Sequence, residues 1–242
     1  NDVSLDFLPV PPQFRIGLGS EAGARIYRIK RGGEIQAVIV PARSPSGYGG
    51  PIRLIAGIDR NGIGVQVIRE RELFSDFALS HDGKRLVYAV NSPGQGATDL
   101  WVHDLVRGSA SRLTFEEGGE RYPVWSRDDR VLYYSNHRRN DGAIFRRASD
   151  GTGSATEVGT TDQGIWPLGA SRDGRWLVIG GIGAQSGQDL LRFDLATKEI
   201  TPLVATPFLD EEPALSPDDA LLAYASEQSG RWEVYVQALG GG

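Results

Sequence analysis

The 242 residues carry 40% hydrophobic and 24% charged side chains and a formal net charge of −5, the composition of a water-soluble globular protein long enough to bury a core. The acidic balance argues against a nucleic-acid partner, which calls for a basic face, and the absence of cysteine excludes disulfides, thiolate chemistry and Cys-ligated zinc or iron–sulfur centres. No run approaches the roughly 18 apolar residues of a membrane helix, no signal-peptide pattern is present, and a chain that opens on Asn1 and lacks Met reads as a processed or excised piece.

From Asn1 to Pro12 three prolines predict an extended start. The string Gly17-Leu18-Gly19-Ser20-Glu21-Ala22-Gly23 is a residue too long for a dinucleotide loop and reads as a turn. Strands are predicted over Ala24–Lys30 and Glu34–Val40, joined by Arg31-Gly32-Gly33, and over Ile52–Ile58 and Gly64–Arg69, joined by Asp59-Arg60-Asn61-Gly62. Asn-Gly supplies the positive-φ residues of a tight hairpin turn. The run Gly47-Tyr48-Gly49-Gly50-Pro51-Ile52-Arg53-Leu54-Ile55-Ala56-Gly57-Ile58-Asp59, with Gly64-Val65-Gln66-Val67-Ile68, resembles the RnfG/NqrC-type FMN-binding domain, and Glu72 falls where that family carries a Glu. The resemblance covers residues 1–72, the front half of such a domain, and implies a flavin-binding electron-transfer subunit of a membrane oxidoreductase. The Thr-Pro-Gly-Leu-Gly that should follow Glu72 is absent, and so is the Ser-Gly-Ala-Thr stretch whose Thr carries the flavin phosphate. The nearest string, Gly96-Ala97-Thr98-Asp99, reads as a loop leading into a strand, so flavin attachment is not transferred to Thr98. A single irregular β-blade is the alternative reading of the four strands.

Beyond Phe74 the grammar changes. A Ser-x-Asp-Gly/Asp turn recurs at Ser80, Ser126, Ser171 and Ser216, in steps of 46, 45 and 45 residues. Such a period suits four-stranded propeller blades. Each turn follows a short apolar piece (Phe77–Leu79, Tyr122–Trp125, Trp166–Ala170, Glu212–Leu215) and precedes an apolar strand (Arg85–Val90, Val131–Tyr134, Trp176–Ile179, Leu221–Tyr224). A third strand is predicted at Asp99–Leu105, Ala143–Arg147, Asp189–Leu195 and Trp232–Val236, and a fourth around Arg112-Leu113-Thr114, Thr156-Glu157-Val158 and Ile200-Thr201-Pro202-Leu203. Pro202 suits an edge strand, where a missing N–H costs nothing. The turns have a structural job: Ser and Asp side chains bond nearby amides, and Gly or Asp tolerates the left-handed residue. Trp125, Tyr133, Trp166, Trp176 and Tyr224 recur beside them and are expected to be buried between blades.

Trp125-Ser126-Arg127-Asp128-Asp129 and Asp99-Leu100-Trp101-Val102-His103-Asp104-Leu105 resemble the W-S-P-D-G and D-L-W-x-x-D-L strings of TolB-like (WD40-like, PD40-repeat) propellers. The similarity covers residues 74–239 and implies a mainly β fold of about four blades. The organisation expected is a hairpin-rich segment at 1–72 followed by propeller repeats over 73–242, with blades near 77–115, 122–159, 166–205 and 212–239. Such propellers usually hold six or seven blades, whereas three full repeats and a three-stranded fourth are present. An N-terminal strand or a second copy of the chain is expected to complete the last sheet.

No catalytic, metal-ligating or cofactor-contacting residue is assigned. There is no G-x-S-x-G elbow, the turns lack an EF-hand ligand series, and His81, His103 and His137 read as surface or turn residues. Gly181–Gly187 reads as a turn, and His137-Arg138-Arg139 with Arg146-Arg147 as a solvated basic loop. The function expected is a non-catalytic, protein-binding or scaffolding propeller that uses its loop faces and central funnel, without cofactor and outside the cytoplasm. Self-association through open strand edges is a further expectation. The alternatives are the flavin-binding subunit (FMN as cofactor) and the propeller gate of a prolyl-oligopeptidase-like hydrolase whose catalytic domain lies outside this chain.

Overall fold

The computed structural model describes the backbone of residues 27–31, 34–40, 55–58, 64–66 and 73–75, and backbone with side chains over 76–91, 98–137, 142–182 and 188–240. Among these residues all regular structure is β. The first sheet is a meander of β1 (Tyr27–Arg31), β2 (Glu34–Val40), β3 (Ile55–Ile58) and β4 (Gly64–Gln66), in the order β1-β2-β3-β4 with antiparallel pairs throughout. Both predicted hairpins are present: β2 has the predicted bounds and β1 runs to Arg31, one residue past its predicted end. The chain before β1, the Gly17–Gly23 string and the residues around Gly47–Pro51 lie outside the described residues.

Four further meanders follow. The first holds β5 (Leu73–Leu79), β6 (Arg85–Asn91), β7 (Thr98–Asp104) and β8 (Ser109–Arg112), and the second β9 (Glu120–Trp125), β10 (Val131–Asn136), β11 (Ala143–Ala148) and β12 (Thr156–Thr160). The third holds β13 (Ile165–Ala170), β14 (Trp176–Gly181), β15 (Asp189–Asp194) and β16 (Ile200–Val204), and the last β17 (Asp210–Leu215), β18 (Leu221–Ser226) and β19 (Glu233–Ala238). Neighbouring first strands β5, β9, β13 and β17 lie side by side, so the four sheets stand as successive blades of a propeller with those strands innermost. One expected strand is displaced: β8 lies at Ser109–Arg112 rather than around Leu113. Leu113 and Thr114 have already turned inward, both amides donating to the Leu100 carbonyl.

The second strand of each blade explains why the sequence shows continuous apolar runs there and not a clean alternation. A central strand sandwiched between neighbouring blades is apolar on both sides, as for any sheet covered on both faces. On β6, Val87 and Ala89 face forward into a core shared with Trp125, Leu132 and Tyr134 of the second blade. Leu86, Tyr88 and Val90 face the other way and are buried with Phe77 and Leu79. The pattern repeats: Tyr133 meets Leu177 and Ile179, and Leu190 meets Leu222 and Tyr224. Each fully buried Leu or Ile contributes about 1.5–3 kcal/mol of apolar burial.

Four of the five aromatic residues expected between blades, Trp125, Tyr133, Trp176 and Tyr224, are buried. Trp166 is half-buried and belongs elsewhere. Close packing against aromatic rings leaves no room for a Cβ at Gly159 or Gly180. A Cβ on Gly159 would stand 2.5 Å from Cζ of the buried Phe193, and one on Gly180 would collide with Nε1 of Trp166.

The last blade ends at its third strand within the described residues. Strands β1–β4 pair only with one another among the described residues, so none of them completes that sheet, and the rest of residues 1–72 lies outside the described residues. The forward face of this blade leaves Val234 76% and Val236 63% exposed, with Leu221 beside them.

Candidate functional site

The four recurring turns are superposable in their hydrogen bonding. The serine hydroxyl donates to the Asp two residues on (Ser80–Asp82 2.7 Å, Ser126–Asp128 2.7 Å, Ser171–Asp173 2.8 Å, Ser216–Asp218 2.5 Å). The same hydroxyl accepts the amide five residues on, that of Arg85, Val131, Trp176 or Leu221. The Asp accepts the amide two residues beyond itself. The fourth position takes φ of +69°, +58°, +69° and +59° at Gly83, Asp129, Gly174 and Asp219. Hydrogen bonds from Ser126 and Ser216 hold the Asp128 and Asp218 carboxyls below the usual range, and the Arg175 amide does the same for Asp173.

Asp129 and Asp219 do more than tolerate a left-handed backbone. Asp129 reaches back to the previous blade's turn and accepts the His81 amide (2.8 Å), the Asp82 amide (2.9 Å) and the His81 ring Nδ1–H (2.9 Å). Burial works against its ionisation, but these three donors outweigh it and hold its pKa low. Asp219 accepts the Arg172 amide at 2.7 Å in the same way. Around Asp129 the seam is reinforced: Arg85 lies 4.7 Å over the Trp125 ring and donates to the Asp129 carbonyl and to Ser149, and Trp125 Nε1 donates to the Ala78 carbonyl.

Repeats two and four share two more features that sequence reading missed. Six residues before the turn serine each carries a wholly buried acid, Glu120 or Asp210, whose carboxylate accepts a threonine hydroxyl (Thr114 3.0 Å, Thr206 2.9 Å). Four residues before the serine, and directly before Pro123 or Pro213, Tyr122 and Glu212 both take φ +53°. A bulky residue held there costs on the order of 1–3 kcal/mol, and such strain gathers at functional sites.

The strained residues sit where the innermost strands converge. Tyr122 on β9 lies with its ring centroid 6.0 Å from that of Trp166 on β13, at 31°, and 6.4 Å from that of His137. Burial raises the Tyr122 phenol pKa, and the negative charges of Asp76 on β5 and Glu211 on β17 raise it further, while Arg121 acts the other way. His137 shares a hydrogen bond with Ser135 Oγ at 3.0 Å, and burial together with the Arg121 charge keeps its ring below its ordinary pKa. Side chains of the second and third blades thus meet ring to ring on the innermost strands.

The other residues singled out in the sequence lie apart from these rings. His81 belongs to the turn, as expected, whereas His103 stands half-buried within β7. Thr98 opens β7, buried, with its hydroxyl bonded to Asn91 Oδ1. Arg138 and Arg139 lie outside the described residues. Arg147 sits on β11, within the predicted third strand, and is largely buried, 3.0 Å from Glu116, not solvated. Among the described residues no three acidic, histidine or cysteine side chains converge as a metal site, and no helix is long and apolar enough to cross a membrane.

The family model of the TolB β-propeller domain matches residues 66–242. The chain belongs to that family. Its fold is similar to that of TolB from Acinetobacter baumannii (TM-score 0.70, 18% identity, 84% of this chain and 49% of that one) and of a TolB-type protein from Agrobacterium tumefaciens (TM-score 0.69, 15% identity, 86% and 74%). A prolyl endopeptidase is similar at TM-score 0.56 and 16% identity, over 87% of this chain and 34% of that one. These likenesses are of fold. Among curated proteins, a subunit of the ion-translocating oxidoreductase complex of Pseudoalteromonas atlantica is 42% identical over 145 residues, 55% of this chain and 63% of that protein. The chain therefore spans less than two thirds of that relative, and about half of the Acinetobacter TolB.

Proposed function

We propose that this TolB-type propeller is a non-catalytic binding module, working outside the cytoplasm, that takes a protein partner at the axial end of its innermost strands. One observation carries the reading: on the innermost strands of neighbouring blades the half-buried rings of Tyr122 and Trp166 stand 6.0 Å apart, with Tyr122 held at a strained φ of +53°. Ligand sites are lined largely by hydrophobic and aromatic side chains with a few placed polar groups. Aromatic side chains supply much of the binding energy at protein interfaces. Incorporating a photo-crosslinking phenylalanine analogue at position 166 in producing cells tests it, with position 157 on exposed β12 as the control. Adducts at 166 and none at 157 support the reading; adducts confined to 157, or absent from both, defeat it.

A second reading, a flavin-carrying electron-transfer segment, is supported by the 42% identity to the oxidoreductase subunit and by the Gly47–Asp59 sequence. Incubation with FMN and a fluorescent band on a denaturing gel would support it, and a dark band would count against covalent attachment.

A further inference from the structure

The blades are joined in two different ways. Between the first and second, polar side chains cross the seam. Asp129 accepts the His81 and Asp82 amides and the His81 ring N–H, and Arg85 donates to the Asp129 carbonyl and to Ser149 Oγ. Trp125 Nε1 donates to the Ala78 carbonyl. The connecting segment is pinned as well: Thr114 Oγ1 accepts the Leu100 amide of the first blade and donates to Glu120 of the second.

At the next seam the residue types for this lock are missing. Gly174 stands where Asp129 stands, and has no carboxylate to offer the Arg127 and Asp128 amides, the counterparts of those of His81 and Asp82. Ile165 takes the place of Glu120 and is buried with Tyr133, Leu177 and Phe193. The connection is the short stretch 161–164, turned by the Gly164 amide on the Thr161 carbonyl, with Gly164 at φ +79°. Apolar burial does not make up the difference. The core of the first seam holds eight buried residues and that of the second seven, so the polar lock is what separates them. Segments of a fold open locally according to what holds them, well below the cost of global unfolding.

We propose that the seam between the second and third blades is a yielding joint, which opens locally while the first two blades stay locked together. Tyr122 and Trp166 stand on either side of it, so its opening parts their rings, and a partner that touches both is held by the closed form alone. The inference goes beyond the binding reading and stands without it.

A chain without cysteine allows a single introduced thiol to report each seam. Val102 and Val158 are matched probes, 8% and 7% exposed, in the first and second seams respectively. Val102→Cys and Val158→Cys are labelled with iodoacetamide under native conditions and followed by mass spectrometry, each rate being divided by that of the same variant unfolded in urea. Where opening and closing outpace labelling, this ratio reads the open population. Val158→Cys is expected to label at least about tenfold faster, the factor that three hydrogen bonds of the weakest net strength supply. Asp129→Gly, added to Val102→Cys, should raise its rate toward that of Val158→Cys. Gly174→Asp, added to Val158→Cys, should slow it about threefold or more. A Cβ at Gly174 meets nothing within 4 Å, and its φ of +69° is near the +58° and +59° of Asp129 and Asp219. Circular dichroism and urea denaturation confirm that each variant is folded. Equal rates at the two positions, a slower rate at 158, or rates that neither Asp129→Gly nor Gly174→Asp moves would overturn the joint. Crosslinking at 166 without faster labelling at 158 would remove this inference and leave the binding reading; faster labelling without crosslinking would do the reverse.

Discussion

Glu120 gives the account a quantitative handle, because a wholly buried carboxyl with only neutral hydrogen-bond donors must show itself in pH-dependent stability. It accepts hydrogen bonds from Asn136 Nδ2 (2.6 Å) and Thr114 Oγ1 (3.0 Å). Burial nonetheless pushes its pKa from the ordinary 4.5 to about 7, with the charges of Asp99 and Glu116 adding to the shift. The folded chain therefore keeps a proton that the unfolded chain gives up between pH 4.5 and about 7. On this account stability falls as pH rises through that window and is level above it. At about 1.4 kcal/mol per pH unit the whole effect is up to about 3 kcal/mol. Glu120→Gln cannot ionise. Urea denaturation of both proteins should show them within about 0.5 kcal/mol near pH 4.5, and the variant more stable by about 2–3 kcal/mol at pH 8. Taking the difference isolates Glu120 from carboxyls such as Asp128 and Asp129, whose lowered pKa values act in the opposite sense at acid pH. A variant equally or less stable than the parent at pH 8 would refute the reasoning, since it would mean that the buried carboxylate is held comfortably as an anion.

Three further outcomes follow from the packing. Trp125→Ala empties the core between the first two blades and frees the Ala78 carbonyl, so denaturant unfolding should register a loss of about 3–5 kcal/mol; a loss under about 1 kcal/mol would contradict the assigned burial. Gly159→Ala drives a methyl into the buried Phe193 ring and should cost about 1–3 kcal/mol at unchanged far-UV circular dichroism. Asp129→Gly restores the residue found in repeats one and three and relieves about 1 kcal/mol of left-handed strain. It also removes three hydrogen bonds to the preceding turn, so a net loss of about 1–2 kcal/mol is expected by thermal unfolding.

The turns were legible in the sequence because their chemistry is local. Ser126, Asp128 and Asp129 sit within four residues of one another, and their bonds within the turn reach at most Val131, so the string carries the geometry. The blades were legible through Leu86–Val90 and its counterparts, whose runs are apolar on both faces. Strand β8 was misplaced because Ser109-Ala110-Ser111-Arg112 is an exposed edge with no apolar alternation to mark it. The axial patch was not legible at all. Tyr122 and Trp166 lie about 45 residues apart, and only the rotation of one blade against the next brings their rings together. The backbone adds to the concealment: a residue before proline is ordinarily extended, so nothing in Tyr122-Pro123 or Glu212-Pro213 announces φ of +53°. The buried acids were hidden likewise, since Glu120 and Asp210 stand among charged neighbours that face water.

The central claim is that a partner engages the axial ends of the innermost strands. Once the crosslinked partner at position 166 is identified, isothermal titration of that protein against the parent chain, a Tyr122→Ala/Trp166→Ala variant and a Glu157→Ala control tests it most directly. The account predicts at least tenfold weaker binding for the double variant, about 1.4 kcal/mol or more, and an unchanged affinity for Glu157→Ala. Parent-like affinity in a folded double variant would contradict it.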